Sequence, residues 1–352
     1  MSAPYLSIVA ASRNDNHGGD ILQRMKIFVN GLIAQTNRHR LPAELIMVEW
    51  NPPEDQPLLQ HLLPKPENGD FLTMRYVVVP KEIHQRYKRA NEIPLFQMIA
   101  KNVGIRRAKG EFILCTNIDL LFSDPLFRML ASRKLAHDTF YRANRCDVPD
   151  GINPEWKLET QLDWCGKNTI RRLGMDARFR NINLEQLGMS HRAPYQLWLI
   201  DKLALALQLV WSREKTKYYR IDSFACGDFT LMSREAWLNI WGYLELDLYS
   251  IHIDTLGLIS AVSLGYRQHI FPREACTYHI DHEAGWLAMT PVEKIRFLQH
   301  RPGIDYGLVM EAGLFALERK ERFPLNSSNW GFADQVFEEY SFPSQGSAKQ
   351  VP

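Results

Sequence analysis

The first apolar block, Tyr5 to Ala11, is continuous and reads as a strand that ends in Ser12-Arg13-Asn14-Asp15. After Gly18-Gly19 a helical pattern runs from about Asp20 to Gln35, with Asp20 at the capping position. A second apolar run, Leu45 to Trp50, is closed by Asn51-Pro52-Pro53, and a third covers Arg75 to Val79. Met98, Ile99, Val103 and Ile105 then share a helical face, Gly110 stops that helix, and Glu111 to Thr116 forms a short apolar strand. Strands alternating with helices in this order predict an α/β fold with a largely parallel sheet.

The second half repeats the alternation. A strand at Phe229–Met232 leads to a helix at Arg234–Ile240, which Gly242 breaks. A helix from about Asp254 to Leu264 is closed by Gly265, and a strand follows from Tyr266 to Phe271. Residues 141–222 lie outside this pattern. They hold Trp156, Trp164, Trp198, Trp211 and a long apolar helix from Gln196 to Ser212, followed by the basic and aromatic run Arg213 to Arg220. Such a helix either supports an acceptor site from inside the fold or lies on a membrane surface, and the buried reading is favoured. Pro64–Asp70 and Ile83–Glu92 read as loops, the latter with Arg86, Lys88 and Arg89 placed to cover donor phosphates. Pro324 to Asp334 reads as a loop folding over a site ahead of a short helix, and the chain frays from about Pro343. The expected units are residues 1–140, a helical insert at 141–222, 223–342, and a frayed end at 343–352.

Composition narrows the classes. The chain has 352 residues, 45% of them apolar, enough for a sizeable core, and its net charge of +2 gives no global pull toward nucleic acid. Cys115, Cys146, Cys165, Cys226 and Cys276 are scattered without metal-binding spacing, which points to a reducing compartment. The first residues lack a basic stretch before a short apolar run, and no segment has membrane-spanning length. The expected location is cytoplasmic, with peripheral contact at the inner face of a membrane as the variant the apolar helix suggests.

The chemistry sits after the Glu111–Thr116 strand, in Asn117-Ile118-Asp119. A carboxylate at the carboxyl end of a strand in an α/β sheet stands where ligands bind, and Asp119 suits a hard divalent cation that would take a diphosphate. Ala100-Lys101-Asn102-Val103-Gly104-Ile105, then Ala108-Lys109-Gly110-Glu111-Phe112-Ile113, then Asn117-Ile118-Asp119 resemble the family-two glycosyltransferases, which have the GT-A fold. The Rossmann-like, mixed and mostly parallel sheet of that fold is therefore the expected architecture. The resemblance implies that Asp119 holds Mn²⁺ or Mg²⁺. It also implies that Ala10, Ala11, Ser12, Arg13, Asn14, Glu49, Asn102, Asn117 and Ile118 line a nucleotide-sugar pocket. Glu49 would accept the imide N–H of uracil, and a solvated strand end is its other reading. Asn117 departs from the family, which carries an acid there.

Ile253-Asp254 stands where the family has Glu-Asp at a helix start, so the resemblance makes Asp254 the catalytic base of an inverting transfer; an ordinary helix cap is the alternative. Gly227, Asp228, His252 and His282 fall on the expected acceptor side. Asp228 is the rival carboxylate. The cluster His279-Ile280-Asp281-His282-Glu283 follows the last strand, where the resemblance implies a second metal ligand at His279. Simple alternation puts His279 and Asp281 on one side and His282 on the other. The expected activity is metal-dependent inverting transfer of a sugar from a nucleoside diphosphate donor, a UDP-sugar, to a glycan, glycolipid or small-molecule hydroxyl. A catalytically silent sugar-nucleotide-binding protein and a nucleotidyltransferase are the alternatives.

Overall fold

The computed structural model describes residues 3–174, 213–282 and 290–343. The first stretch runs β1 (Leu6–Ser12), α1 (Ile21–His39), β2 (Ala43–Trp50), α2 (Leu59–Leu62), β3 (Leu72–Val79), α3 (Lys81–His84), α4 (Gln97–Arg107) and β4 (Phe112–Thr116). It continues through β5 (Leu120–Phe122), α5 (Asp124–Ala131), β6 (Thr139–Arg142), β7 (Asn144–Val148), α6 (Leu158–Lys167) and β8 (Arg171–Leu173). After residue 212 come α7 (Arg213–Arg220), β9 (Phe229–Ser233), α8 (Arg234–Ile240), α9 (Ile253–Ser263), β10 (Arg267–Ile270), β11 (Cys276–Ile280), α10 (Pro291–Gln299), α11 (Tyr306–Arg319) and β12 (Glu338–Phe342).

The main sheet has the order β10-β6-β9-β4-β1-β2-β3-β12. Within it β4, β1, β2 and β3 are parallel, while β9 runs antiparallel to β4 and β12 antiparallel to β3. Every residue of β1 and β2 is buried, because both faces of the sheet are covered. Leu6, Ile8 and Ala10 join one core with Met25, Phe28 and Leu32 of α1; Val9 and Ala11 join the other with Met98, Ile99 and Val103 of α4. The pleat thus sends alternate residues of one strand into two cores. Gly104 permits the close seat of α4, since a Cβ there would lie 2.4 Å from a Val9 methyl. This is a mixed α/β architecture flanked by helices and consistent with a GT-A-like fold.

A second sheet, β5-β11-β7-β8, sits beside the first. Its register sets up the site: His279 of β11 stands opposite Leu120 of β5 on one side and Asp147 of β7 on the other.

Several expectations change. The strand from Arg75 begins at Leu72, and α1 extends to His39. Asp20 holds the N-cap position of α1 in a left-handed conformation and makes no side-chain capping bond. The boundary at 141 cuts β6, and residues 141–148 belong to the two sheets rather than to a helical insert. The apolar helix from Gln196 to Ser212 lies outside the described residues; no described helix is long and apolar enough to cross a membrane. The tail after Pro324 wraps the end of α4, where Arg107 donates to the carbonyls of Gly331, Phe332 and Gln335. It continues into strand β12 instead of a helix.

Candidate active site

The parallel strands β1, β2 and β4 bring their carboxyl ends to one edge of the sheet. Asp119 follows β4 and precedes β5. Because β5 pairs with β11, the Asp119 carbonyl accepts the N–H of Ile280 at 3.0 Å. His279 Nε2 then lies 3.4 Å from Asp119 Oδ2, and His282 Nε2 lies 3.5 Å from the same oxygen. The three residues offer ligand atoms within 4.8 Å of one another. Simple alternation put His282 on the far side. Instead Asp281 N–H bonds to the Val148 carbonyl at 2.9 Å, strand pairing ends there, and the chain brings His282 back beside His279.

A ring of buried charge surrounds this cluster. His279 Nδ1 faces Asp147 Oδ1 at 3.2 Å and Arg145 Nη2 at 2.9 Å. Asp147 is fully buried and receives Arg145 Nε at 2.6 Å and Arg171 Nε at 2.8 Å. Burial opposes charge on Asp147, but His279 and Arg145 hold it far below the usual carboxylate range. Burial likewise opposes charge on His279, yet the Asp119 carboxylate raises its ring to about 9. Burial raises the Asp119 carboxyl, but the two histidines outweigh it and hold it well below its ordinary value.

The residues present fit a divalent cation. The donor set is one carboxylate and two imidazoles, and Asp119 Oδ1 and His282 Nδ1 are buried atoms without hydrogen-bond partners among the described residues. Ligation requires a neutral His279 ring whose Nε2 lone pair faces Asp119 and His282, while Nδ1 sits between Asp147 Oδ1 and Arg145 Nη2.

Arg145 links this cluster to the end of β4. Its Nη1 donates to Asp228 Oδ2 at 2.9 Å, and Asn117 Nδ2 donates to Asp228 Oδ1 at 2.6 Å. Asn117 Oδ1 accepts from Lys101 Nζ at 2.7 Å and from Gln97 Nε2 at 2.9 Å. Lys101 is fully buried, also donates to the Gly227 carbonyl at 2.9 Å, and has its pKa lowered by burial against the attraction of Asp228, Asp254 and Asp119.

Asp254 lies in the first turn of α9, and its Oδ1 accepts the Thr255 N–H at 2.8 Å. Its Oδ2 faces Gly227, where an added Cβ would stand 3.0 Å away, so the glycine leaves room for the carboxylate. His252 precedes the helix in a left-handed conformation with its ring 5.3 Å from that of Tyr306.

The expected nucleotide pocket is only partly assembled from the residues named for it. Ala10, Ala11 and Ile118 are core packing residues, and Ser12 is buried at the strand end. Arg13 pairs with Asp15 and reaches the Pro94 carbonyl; Asn14 donates to the Pro57 carbonyl at 3.0 Å. Glu49 is fully buried, and both carboxylate oxygens accept the Leu59 N–H, at 3.1 and 2.9 Å, so its carboxylate turns to the α2 segment. Burial raises it to about 7. Asn102 is fully buried and spends its amide on Tyr243 and Glu245, fixing the turn before α9.

Sequence reading missed Arg145, Asp147 and Lys101. The signal was present: Arg145 and Asp147 sit two apart in a short strand, on the same side as His279's partner position, and Lys101 interrupts the buried face of α4.

The chain matches no family model and no curated protein. Among solved structures it is similar to S. aureus TarS 1–349 in complex with UDP-GlcNAc. The TM-score is 0.44 at 11% identity, covering 90% of this chain and 72% of that one.

Proposed function

We propose that this protein is a metal-dependent glycosyltransferase that moves a sugar from a nucleoside diphosphate, UDP in the first instance, to an acceptor hydroxyl. The observation that carries the reading is the gathering of Asp119, His279 and His282 at the carboxyl edge of the sheet, with ligand atoms within 4.8 Å of one another. Two imidazoles beside a carboxylate favour Mn²⁺ over Mg²⁺. A cation held there supplies charge neutralisation for a leaving diphosphate.

In this reading Asp254 Oδ2 accepts the proton of the acceptor hydroxyl while that oxygen attacks the anomeric carbon, which inverts the configuration. Its Oδ1 is already held by the Thr255 N–H, so Oδ2, the oxygen that faces Gly227, is the one left for this role. Asn117 retains one side-chain N–H beyond its bond to Asp228, enough to donate to a hydroxyl of the donor. Glycan, glycolipid and small-molecule hydroxyls all fit the requirement for a single deprotonated oxygen.

The test is a donor screen that follows released UDP and GDP with Mn²⁺ present and after chelation. Metal-dependent release from one nucleotide-sugar in the presence of an acceptor supports the reading. Tight nucleotide-sugar binding without release under any acceptor mixture favours the silent binding protein. Release of pyrophosphate from a nucleoside triphosphate and a sugar phosphate would make it a nucleotidyltransferase.

A further inference from the structure

The loop between β1 and α1 contains an unusual concentration of left-handed backbone. Asn16, Gly18, Gly19 and Asp20 have φ of 54°, 71°, 66° and 41°. A segment of this kind does not hold its shape on its own. The first turn and a half of α1 supplies the clamp. Arg24 is 4% exposed, and its guanidinium donates to the carbonyls of His17, at 2.9 Å, of Gly18, at 3.3 Å, and of Gly19. One planar fork thus ties three successive carbonyls, a task that a lysine ammonium cannot reproduce in the same geometry. The charge of Arg24 also reaches Asp119.

The clamped loop presses on the other end of the site. A Cβ at Gly18 would stand 2.7 Å from His282 Nδ1, 3.3 Å from His282 Cγ and 3.3 Å from Arg24 Nη2. The imidazole of His282 therefore leans directly on the glycine backbone, and the opposite ring nitrogen is the one aimed at Asp119. Among the described residues His282 Nδ1 has no hydrogen-bond partner, whereas Arg145 and Asp147 hold His279 Nδ1 from the other side. Contact must do for His282 what a hydrogen bond does for its neighbour.

We propose that Gly18, held in place by Arg24, is the positioning surface for His282, so that the loop after β1 sets the geometry of the cation cluster more than 260 residues away in sequence. The proposal rests on the reading of Asp119, His279 and His282 as a metal site. Gly18 and Arg24 are positioning residues and touch no reacting atom. A side chain at position 18 drives His282 off Asp119. Loss of the Arg24 fork releases the loop and leaves His282 without its support.

The experiment is Mn²⁺ binding, followed by calorimetry and by the electron paramagnetic resonance of free Mn²⁺, on the full chain with no substrate. Parental protein, Gly18→Ala, His282→Ala and the double variant form a cycle. Gly18→Ala is expected to weaken Mn²⁺ about tenfold or more, in the range for groups that orient metal ligands, and to have no further effect once His282 is alanine. Arg24→Gln should weaken binding in the same way, and Arg24→Lys should recover only part of it. Gly69→Ala controls for backbone strain alone, because Gly69 has φ +103° with open space around its Cβ position, and it should bind Mn²⁺ as the parent does. Thermal unfolding of each variant identifies any that fail to fold, and the remaining arms of the cycle decide. Parental affinity in Gly18→Ala, or an equal loss with and without His282, overturns the proposal while leaving the metal site intact. Parental affinity in His282→Ala removes His282 as a ligand and overturns it too. A parental protein that binds no Mn²⁺ overturns the metal reading itself.

Discussion

Asn117 donates to Asp228 across 2.6 Å, and that contact explains why an amide stands where the resembled family carries an acid. A carboxylate at position 117 would face the Asp228 oxygen without a proton between them. Asn117→Asp, which restores the family pattern, is therefore expected to destabilise the protein by about 1–3 kcal/mol and to gain no activity. A higher unfolding temperature in this variant would show that the amide is not required by Asp228.

Asp147 should matter to metal binding without touching the metal. It receives two arginines and faces His279 Nδ1 at 3.2 Å, so its charge holds both the imidazole and Arg145, which reaches the same Nδ1 at 2.9 Å, in place. Asp147→Asn is expected to lower Mn²⁺ affinity roughly 10- to 100-fold. Calorimetric titration reads this directly, and an unchanged affinity would reduce Asp147 to a partner for Arg145 and Arg171.

Metal binding should release a proton. The Asp119 carboxylate, working against burial, raises His279 to about 9, so near neutral pH its ring is protonated and must deprotonate to ligate. Apparent Mn²⁺ affinity should rise about tenfold per pH unit from neutrality toward that value, then level off. Titrations in buffers of different ionisation enthalpy count the proton; affinity flat in pH would mean that His279 does not bind through a titrating nitrogen.

Glu49 makes a different pH prediction, about stability. Burial raises its folded-state value to about 7 from an ordinary 4.5. Between those values the folded chain keeps a proton that the unfolded chain has released. Stability therefore falls as pH rises from about 4.5 to about 7, by at most about 3 kcal/mol, and the loss is complete above that window. Glu49→Gln keeps a carbonyl acceptor for the Leu59 N–H and removes the ionisation. Urea unfolding at several pH values should show a flatter profile for the variant; parallel profiles would assign the slope to other groups.

Asp254→Asn preserves shape and removes basicity. Turnover should fall about 10²-fold or more, with donor affinity near parental and an inverted product in the parent. A product of retained configuration contradicts single displacement by this residue. Full activity in Asp254→Asn would move the base to Asp228.

The order of strands and helices was legible because continuous apolar runs such as Leu6–Ser12 and Ala43–Trp50 are buried on both faces. Asp119 was legible for a local reason, its place just past a buried strand. The approach of His279 to Asp119 depends on β5 pairing with β11, and that of Asp147 on β7 pairing with β11, neither of which has a local signal. His282 was put on the wrong side because alternation holds only while the strand continues, and pairing ends at Asp281. The hydrogen bonds of Glu49 and Asn102 were not legible for the opposite reason. Each is polar at a position where polarity suggested a ligand, and each is consumed by backbone from a later segment, Leu59 for one and Tyr243 for the other.

The terminal strand carries a consequence for handling the molecule. β12 covers the outer edge of β3, with Phe342 opposite Met74 and its ring 6.0 Å from Tyr76. Within that pairing Arg75 sits between Glu44 at 2.9 Å and Glu339 at 2.6 Å. Shortening the chain before Glu338 would strip one of the two acids from a mostly buried guanidinium and uncover a row of unpaired backbone donors and acceptors along an eight-residue strand. Such an edge recruits strands from other molecules. Strand β12 is thus a guard against self-association, and a version shortened before it would be lost to precipitation before its chemistry was tested.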